Sequence, residues 1–253
     1  MSEKINNKQR HLNYYKEEDN EQFEINRPHN SGQFYNFLIN YKFQKALKVL
    51  PFPIKGLSVL DACCGSGMVS EYYAQEGARV VGTDLSSCAV ERARLRSKSY
   101  GFYAEFKEAD VANLSFPDNS FDIVSVHDGL HHLSDPKKAV REMVRIAKKA
   151  VIIIEPAKAL ITELSVLLGF SLKYEGSDFV YRFRKSEIIS WLKEIGIKKI
   201  IIKRYLMYYP HKPGRVFRIF DFLPLFYFIK IIFYLTNLFF GRLGNKIQVI
   251  GLK

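Results

Sequence analysis

The chain has 253 residues, 47% of them apolar, enough to bury the core of one α/β domain with embellishments, which excludes wholesale disorder. Its three cysteines, Cys63, Cys64 and Cys88, have neither metal-ligand spacing nor the count of a disulfide framework, so a zinc module and a secreted disulfide scaffold are excluded, and a cytoplasmic setting is expected. The net charge of +12 is unevenly spread: residues 181–218 hold eleven Lys and Arg against two acids, a patch suited to anionic lipid, a phosphorylated substrate or nucleic acid, or else a solvated basic face.

The opening stretch, residues 1–22, is polar and lacks the apolar run of an export signal. Residues 1–52 read as a helical, aromatic cap, with Phe34, Leu38, Tyr41 and then Phe43, Leu47, Leu50 at helical spacing before Pro51 and Pro53 break the pattern. From 53 to 253 strands and helices alternate. Strands are predicted at 57–63, 78–85, 103–109, 121–128, 150–156, 198–207 and 246–253. Helices are predicted at 68–77, 86–101, 135–149 and 186–196, the second capped by Ser86 or Ser87 and stopped by Gly101. The alternation predicts an α/β fold: a Rossmann-like, seven-stranded, mostly parallel sheet with right-handed crossovers. Residues 157–180 and 208–244 are insertions into that pattern, the second of them very apolar.

The motif with the most chemistry is VLDACCGSGMVS, residues 59–70. A strand ends in Asp61, turns through small residues and opens a helix, so Gly65 and Gly67 let backbone approach a ligand beside free N–H groups. A glycine turn of this kind also serves nicotinamide enzymes. Asp84 ends the second strand, 19 residues after Gly65, where a carboxylate can accept from both hydroxyls of a ribose. Asp110 follows the third strand. His127, Asp128 and His131 follow the fourth, at the carboxyl edge where parallel sheets bind ligands.

Together these segments resemble class I S-adenosylmethionine-dependent methyltransferases over roughly 57–156. The Cys-Cys-Gly-x-Gly form resembles that of the quinone-pathway C-methyltransferases, which share Cys63 where most members carry a glycine. The resemblance implies S-adenosyl-L-methionine as cofactor, held by Asp61, Cys63, Gly65, Gly67, Asp84, Leu85, Asp110, Val111 and His127. Asp110 would contact the adenine amino group and Val111 would pack on the ring. It gives His132 a packing role. Methyl transfer to an oxygen or carbon acid needs a base, for which His127, His131 and Asp128 are candidates, with simple hydrogen bonding an equal alternative for each. No metal is expected. A nicotinamide-dependent oxidoreductase shares the glycine turn and Asp84, and a non-catalytic protein retaining the fold stays open. The aromatic cap and the apolar 208–244 stretch point to a hydrophobic, anionic or lipid-linked small-molecule acceptor and to peripheral membrane contact, rather than to nucleic acid.

Overall fold

The computed structural model describes residues 12–13, 15–16, 21–160, 162–163, 174–175, 178–179, 181–207 and 212–253. Most of the insertion expected at 157–180 lies outside these residues. Its described part includes an antiparallel pair, β6 (Tyr174–Glu175) with β7 (Asp178–Phe179).

The cap contributes α1 (Glu21–Asn26) and α2 (Gln33–Leu47). The body then runs β1 (Ser58–Ala62), α3 (Met68–Gln75), β2 (Arg79–Asp84), α4 (Ser87–Tyr100), β3 (Ala104–Glu108), β4 (Phe121–His127), α5 (Pro136–Ile146) and β5 (Ala147–Pro156). After the insertion come α6 (Lys185–Glu194), β8 (Lys199–Tyr205), the 18-residue helix α7 (Leu223–Phe240) and β9 (Lys246–Leu252).

The seven strands lie in the order β3-β2-β1-β4-β5-β9-β8. The first five are parallel. β9 runs antiparallel between β5 and β8, so the sheet is mostly parallel as the alternation predicts. Period-two alternation splits the strand side chains between two apolar layers. Leu60, Val124, Val151, Ile153 and Val249 pack under Val140 and Met143 of α5 and Leu192 of α6. Val59, Ile123, Ile152 and Ile250 pack under Tyr35, Ile39 and Phe43 of α2 and Val69 and Tyr73 of α3. The cap helix α2 therefore covers sheet that a minimal domain would leave to solvent.

Helix ends follow local chemistry. Ser86 accepts from the Ala89 N–H to start α4, and Gly101 ends it at φ 65. Asp135 accepts from the Lys138 N–H, with Pro136 in the first turn of α5. One predicted boundary is corrected: α5 stops at Ile146 instead of 149, and the next strand starts at Ala147 instead of 150. Ala147 is fully buried and pairs with Phe121, whereas Lys148 and Lys149 stay exposed, so sheet pairing outweighs the helix-forming lysines.

Candidate active site

The carboxyl ends of β1, β2 and β4 meet the cap at one edge of the sheet. The chain leaves β1 through Cys63 at φ 59, a left-handed backbone that favours glycine and costs a cysteine roughly 1 kcal/mol. Gly65 (φ 52) and Gly67 (φ 80) follow. A Cβ on Gly67 would lie 3.0 Å from the Ala93 Cβ, so this glycine lets α4 pack against the turn. A Cβ on Gly65 would lie 2.6 Å from the Tyr15 hydroxyl, so the cap closes directly over the turn.

Asp84 ties β2 to this turn. Its carboxylate accepts from the Gly65 N–H at 2.9 Å and the Ser86 N–H at 3.0 Å. A carboxylate offers about four lone-pair positions and can be shared among several donors. Asp61 is 1% exposed and accepts from the Ser70 hydroxyl at 2.6 Å, while its other carboxylate oxygen has no hydrogen-bond partner among the described residues. Burial outweighs that hydrogen bond and, with Asp84 nearby, pushes the Asp61 carboxyl up to about 7. An unfilled buried acceptor beside a glycine turn fits an ammonium group. Burial and the surrounding carboxylates raise the Cys63 and Cys64 thiols well above their usual range, so both remain protonated and unreactive. Asp110 accepts from the Ala112 N–H at 2.9 Å, which opens the turn after β3 and buries Val111. Leu85 links Asp84 to the cap of α4.

The end of β4 carries the second cluster. His127 is buried, bonded through Nε2 to the Tyr73 hydroxyl at 2.9 Å and set edge-on to Phe43. Burial, with Lys42 adding to it, holds its pKa well below 6.5, so the ring is neutral at neutral pH. Asp128 adopts φ 52 and is clamped between Lys42, at 2.7 Å, and Lys246. Partial burial raises its pKa, but Lys246 and Lys42 overcome this and hold it well below the ordinary carboxylate range. A carboxylate so held is a weak base; its geometry is that of a brace joining β4 to α2 and β9. His131 is buried, with Nδ1 2.7 Å from Glu155. The other oxygen of Glu155 accepts from the Gly129 and Leu130 N–H groups. Of the two adjacent histidines it is therefore His131 that is packed in, while His132 is half-exposed with its ring 4.0 Å from that of His131.

The structure thus brings Asp61, Cys63, Gly65, Gly67 and Asp84 to one turn and His127, Asp128 and His131 to the adjoining strand end, and adds partners absent from the sequence reading. Glu155 carried a signal: a lone acid closing an otherwise apolar strand. Tyr73 and Lys246 carried none, because their roles depend on tertiary contacts. Lys42 stands beside Tyr41 on the apolar face of the cap helix, a cue that periodicity alone does not resolve. Glu24 of α1, fully buried, accepts from the Ser66 hydroxyl at 3.2 Å, and Arg96 donates to the Ile25 carbonyl at 2.8 Å while pairing with Glu71 at 2.7 Å. These bonds seat the cap on the turn. Among the described residues no cluster of His, Cys, Asp and Glu is arranged to hold a metal ion.

Residues 60–154 match a protein family described as Methyltransferase domain. The demethylmenaquinone methyltransferase of Renibacterium salmoninarum is 39% identical over 95 residues, which covers 38% of each chain. The ubiquinone biosynthesis O-methyltransferase of Alkalilimnicola ehrlichii is 27% identical over 189 residues, covering 64% of this chain and 76% of its own. Aligned to the first of these, the chain spans under two-fifths of the relative's length. Among solved structures, magnesium protoporphyrin IX methyltransferase from Synechocystis with bound S-adenosylhomocysteine superposes with a TM-score of 0.60 at 20% identity, covering 92% of this chain and 93% of that one. That likeness establishes a Rossmann-like α/β fold across nearly the whole chain.

Proposed function

We propose, from the match of residues 60–154 to a methyltransferase domain, that the whole protein transfers a methyl group from S-adenosylmethionine to a hydrophobic small molecule. The observation that supports this best is the pair of carboxylates at the glycine turn: Asp84 held 2.9 Å from the Gly65 N–H, and Asp61 with one unfilled oxygen. Asp84 would accept from the ribose hydroxyls and Asp61 would meet the ammonium of the methionine part. Asp110 and Val111 would hold the adenine. When bound, the cofactor supplies a methyl group activated on a sulfonium, whose leaving group is a neutral thioether.

The chain's own residues then align the acceptor, exclude water and take its proton. The His131–Glu155 pair is suited to the last task. Glu155 is fixed by two backbone N–H donors and orients the imidazole with its proton on Nδ1, which leaves Nε2 as the basic atom. His127, neutral at neutral pH, is the second candidate.

The acceptor side is aromatic and basic. Tyr41 packs edge-on to Phe233 of α7 at 4.8 Å and to Tyr205 at 6.2 Å, and Lys42 and Lys246 stand beside this cluster at Asp128. An apolar tail with an anionic head suits such surroundings, in keeping with a lipid-linked acceptor met at a membrane by a cytoplasmic, metal-independent enzyme. The relatives named for demethylmenaquinone and ubiquinone biosynthesis support a quinone-like ring as one member of that class.

The test has two parts. Calorimetric titration should show S-adenosylhomocysteine binding and no binding of NAD; the reverse would make the protein a nicotinamide enzyme. Among variants that keep cofactor affinity, at least one of His131→Ala and His127→Ala should lower turnover more than about tenfold, within the usual contribution of a general base. Normal turnover in both would remove the histidines from the chemistry and leave alignment alone.

A further inference from the structure

We propose that α7 is an in-plane membrane anchor: it lies flat in the interfacial layer of an anionic bilayer, apolar outer face down, and does not cross it. Whether the acceptor is taken from that bilayer rests on the methyl-transfer reading; the surface itself does not.

By length and composition the segment Leu223–Leu243 could span a membrane, with a mean hydropathy of 1.7, and within it only Phe226 and Gly241 are buried against the protein. Its attachments forbid the crossing. At the leading end Asp221 accepts from the Phe34 N–H of α2 at 2.9 Å. Along the inner stripe, Phe226 packs against Phe34 and Leu38, and Phe233 against Phe37 and Tyr41. Near the trailing end the Asn237 side chain exchanges hydrogen bonds with both the N–H and the carbonyl of Leu206, and Arg204 donates to the Gly244 carbonyl. The chain then enters β9, inside the sheet. Both ends and one whole side are fastened to the same body, so the helix must run along that body's surface.

The side turned away carries Leu223, Tyr227, Phe228, Ile231, Leu235, Leu238 and Phe239, all exposed and none charged, with Leu238 at 74% and Phe239 at 71%. A helix of this length is about 27 Å long. An apolar stripe on that scale exceeds the scattered hydrophobic exposure of an ordinary surface and marks a docking face.

Charge decides the occupant. Arg215 and Arg218 are exposed before the helix and Arg242 after it. Between 212 and 244 the lone acid, Asp221, is engaged with the start of α2. Lys230 sits over the rings of Phe37 and Phe226, its stem along the apolar face in the manner of an interfacial lysine. Basic residues at both ends of an apolar stripe complement phosphate headgroups around inserted side chains. A second copy of the chain would set the same arginines against each other in either orientation.

The probe is flotation with phosphatidylcholine vesicles, with and without phosphatidylglycerol. The full-length protein should float with the anionic vesicles at low salt, less at high salt, and little with phosphatidylcholine alone. The Arg215→Gln/Arg218→Gln/Arg242→Gln variant leaves all apolar packing in place and should weaken partitioning about fivefold per charge removed. Phe228→Ser/Leu235→Ser/Leu238→Ser should abolish it. For depth, Phe228→Trp and Phe239→Trp lie on one face about 16 Å apart along the helix axis. Brominated lipids should quench both best at the same shallow position. Quenching at two different depths would mean a crossing helix and overturn the proposal. So would failure to float, or a dimer by light scattering that the triple serine variant dissolves. S-adenosylhomocysteine titration of the same proteins separates the two readings: intact binding without flotation removes only the anchor, and flotation without binding removes only the methyl-transfer reading.

Discussion

Three side chains in the site sit against their ordinary preferences. Cys63 and Asp128 take left-handed backbone, and Asp61 is a carboxyl carried up to about 7 inside the protein. Strain and burial concentrated at one sheet edge are expected where function, rather than stability, sets the residue. His127 allows a direct test. Its folded-state pKa is depressed by burial, so between that value and 6.5 the unfolded chain binds the extra proton. The stability this neutral ring provides is therefore complete above 6.5 and lost as pH falls below it. Asp61 works in the opposite sense, since its raised pKa makes the folded state the proton binder between 3.8 and about 7. The measurement is thus a difference: urea unfolding of the native protein and His127→Gln at pH 7 and pH 5. The native protein should lose on the order of 1–2 kcal/mol more than the variant over that interval. Equal losses would mean that the ring is protonated in the folded state. Asp61, Asp84 and Asp110 could be singled out from the sequence because each lies at or just past the end of a strand, beside a turn. Glu155 and Lys42 were not singled out, because what makes them part of the site is a neighbour 24 or 86 residues distant.

Among the elements, α2 and the turn that precedes α7 depend on each other. Gly32 precedes α2 at φ 96, and a Cβ there would lie 2.2 Å from the Asp221 carboxylate. No side chain of its own caps α2; Asp221, 187 residues away, takes the Phe34 N–H instead. This is an N-cap supplied by a distant segment, with the carboxylate also favourably placed at the positive end of the helix. Asp221→Ala should cost about 1 kcal/mol, and Asp221→Asn, which keeps an acceptor, less than half of that. Thermal denaturation of the two variants checks it, and equal losses would assign the effect to charge alone. Element boundaries held where caps were local, as at Ser86, Gly101 and Asp135. The strand after α5 began three residues early, because pairing of Ala147 with Phe121 is invisible to propensity. The apolar helix was legible in its composition, and its flat course along α2 was not, because that follows from attachments at Asp221, Phe226 and Asn237.

For the molecule as a whole, the sheet order and the two apolar layers follow from alternating strand and helix patterns, and the methyltransferase domain match covers residues 60–154, where those patterns are strongest. A cofactor bound between the turn and the cap should stabilise everything it joins. At a hundredfold excess over its dissociation constant, S-adenosylhomocysteine should add about 2.7 kcal/mol to unfolding. Asp84→Ala removes charged hydrogen-bond acceptors and should need about tenfold to hundredfold more ligand for the same rise in melting temperature. An unchanged dose dependence would take the ribose away from Asp84.

The position of β9 has a consequence for how the molecule is made. Among the described residues β8 bonds to no strand but β9, which is separated from it by α7. As the chain emerges during synthesis, β8 must wait, unpaired, for residues 246–252, and in that interval α7 has its contacts with α2 but lacks the trailing anchorage that β9 gives it. A nascent chain would present the exposed apolar side of that helix while one sheet edge stands open, the condition in which aggregation competes with folding. The anionic bilayer proposed as the partner of α7 would shelter that apolar side until the returning strand closes the sheet.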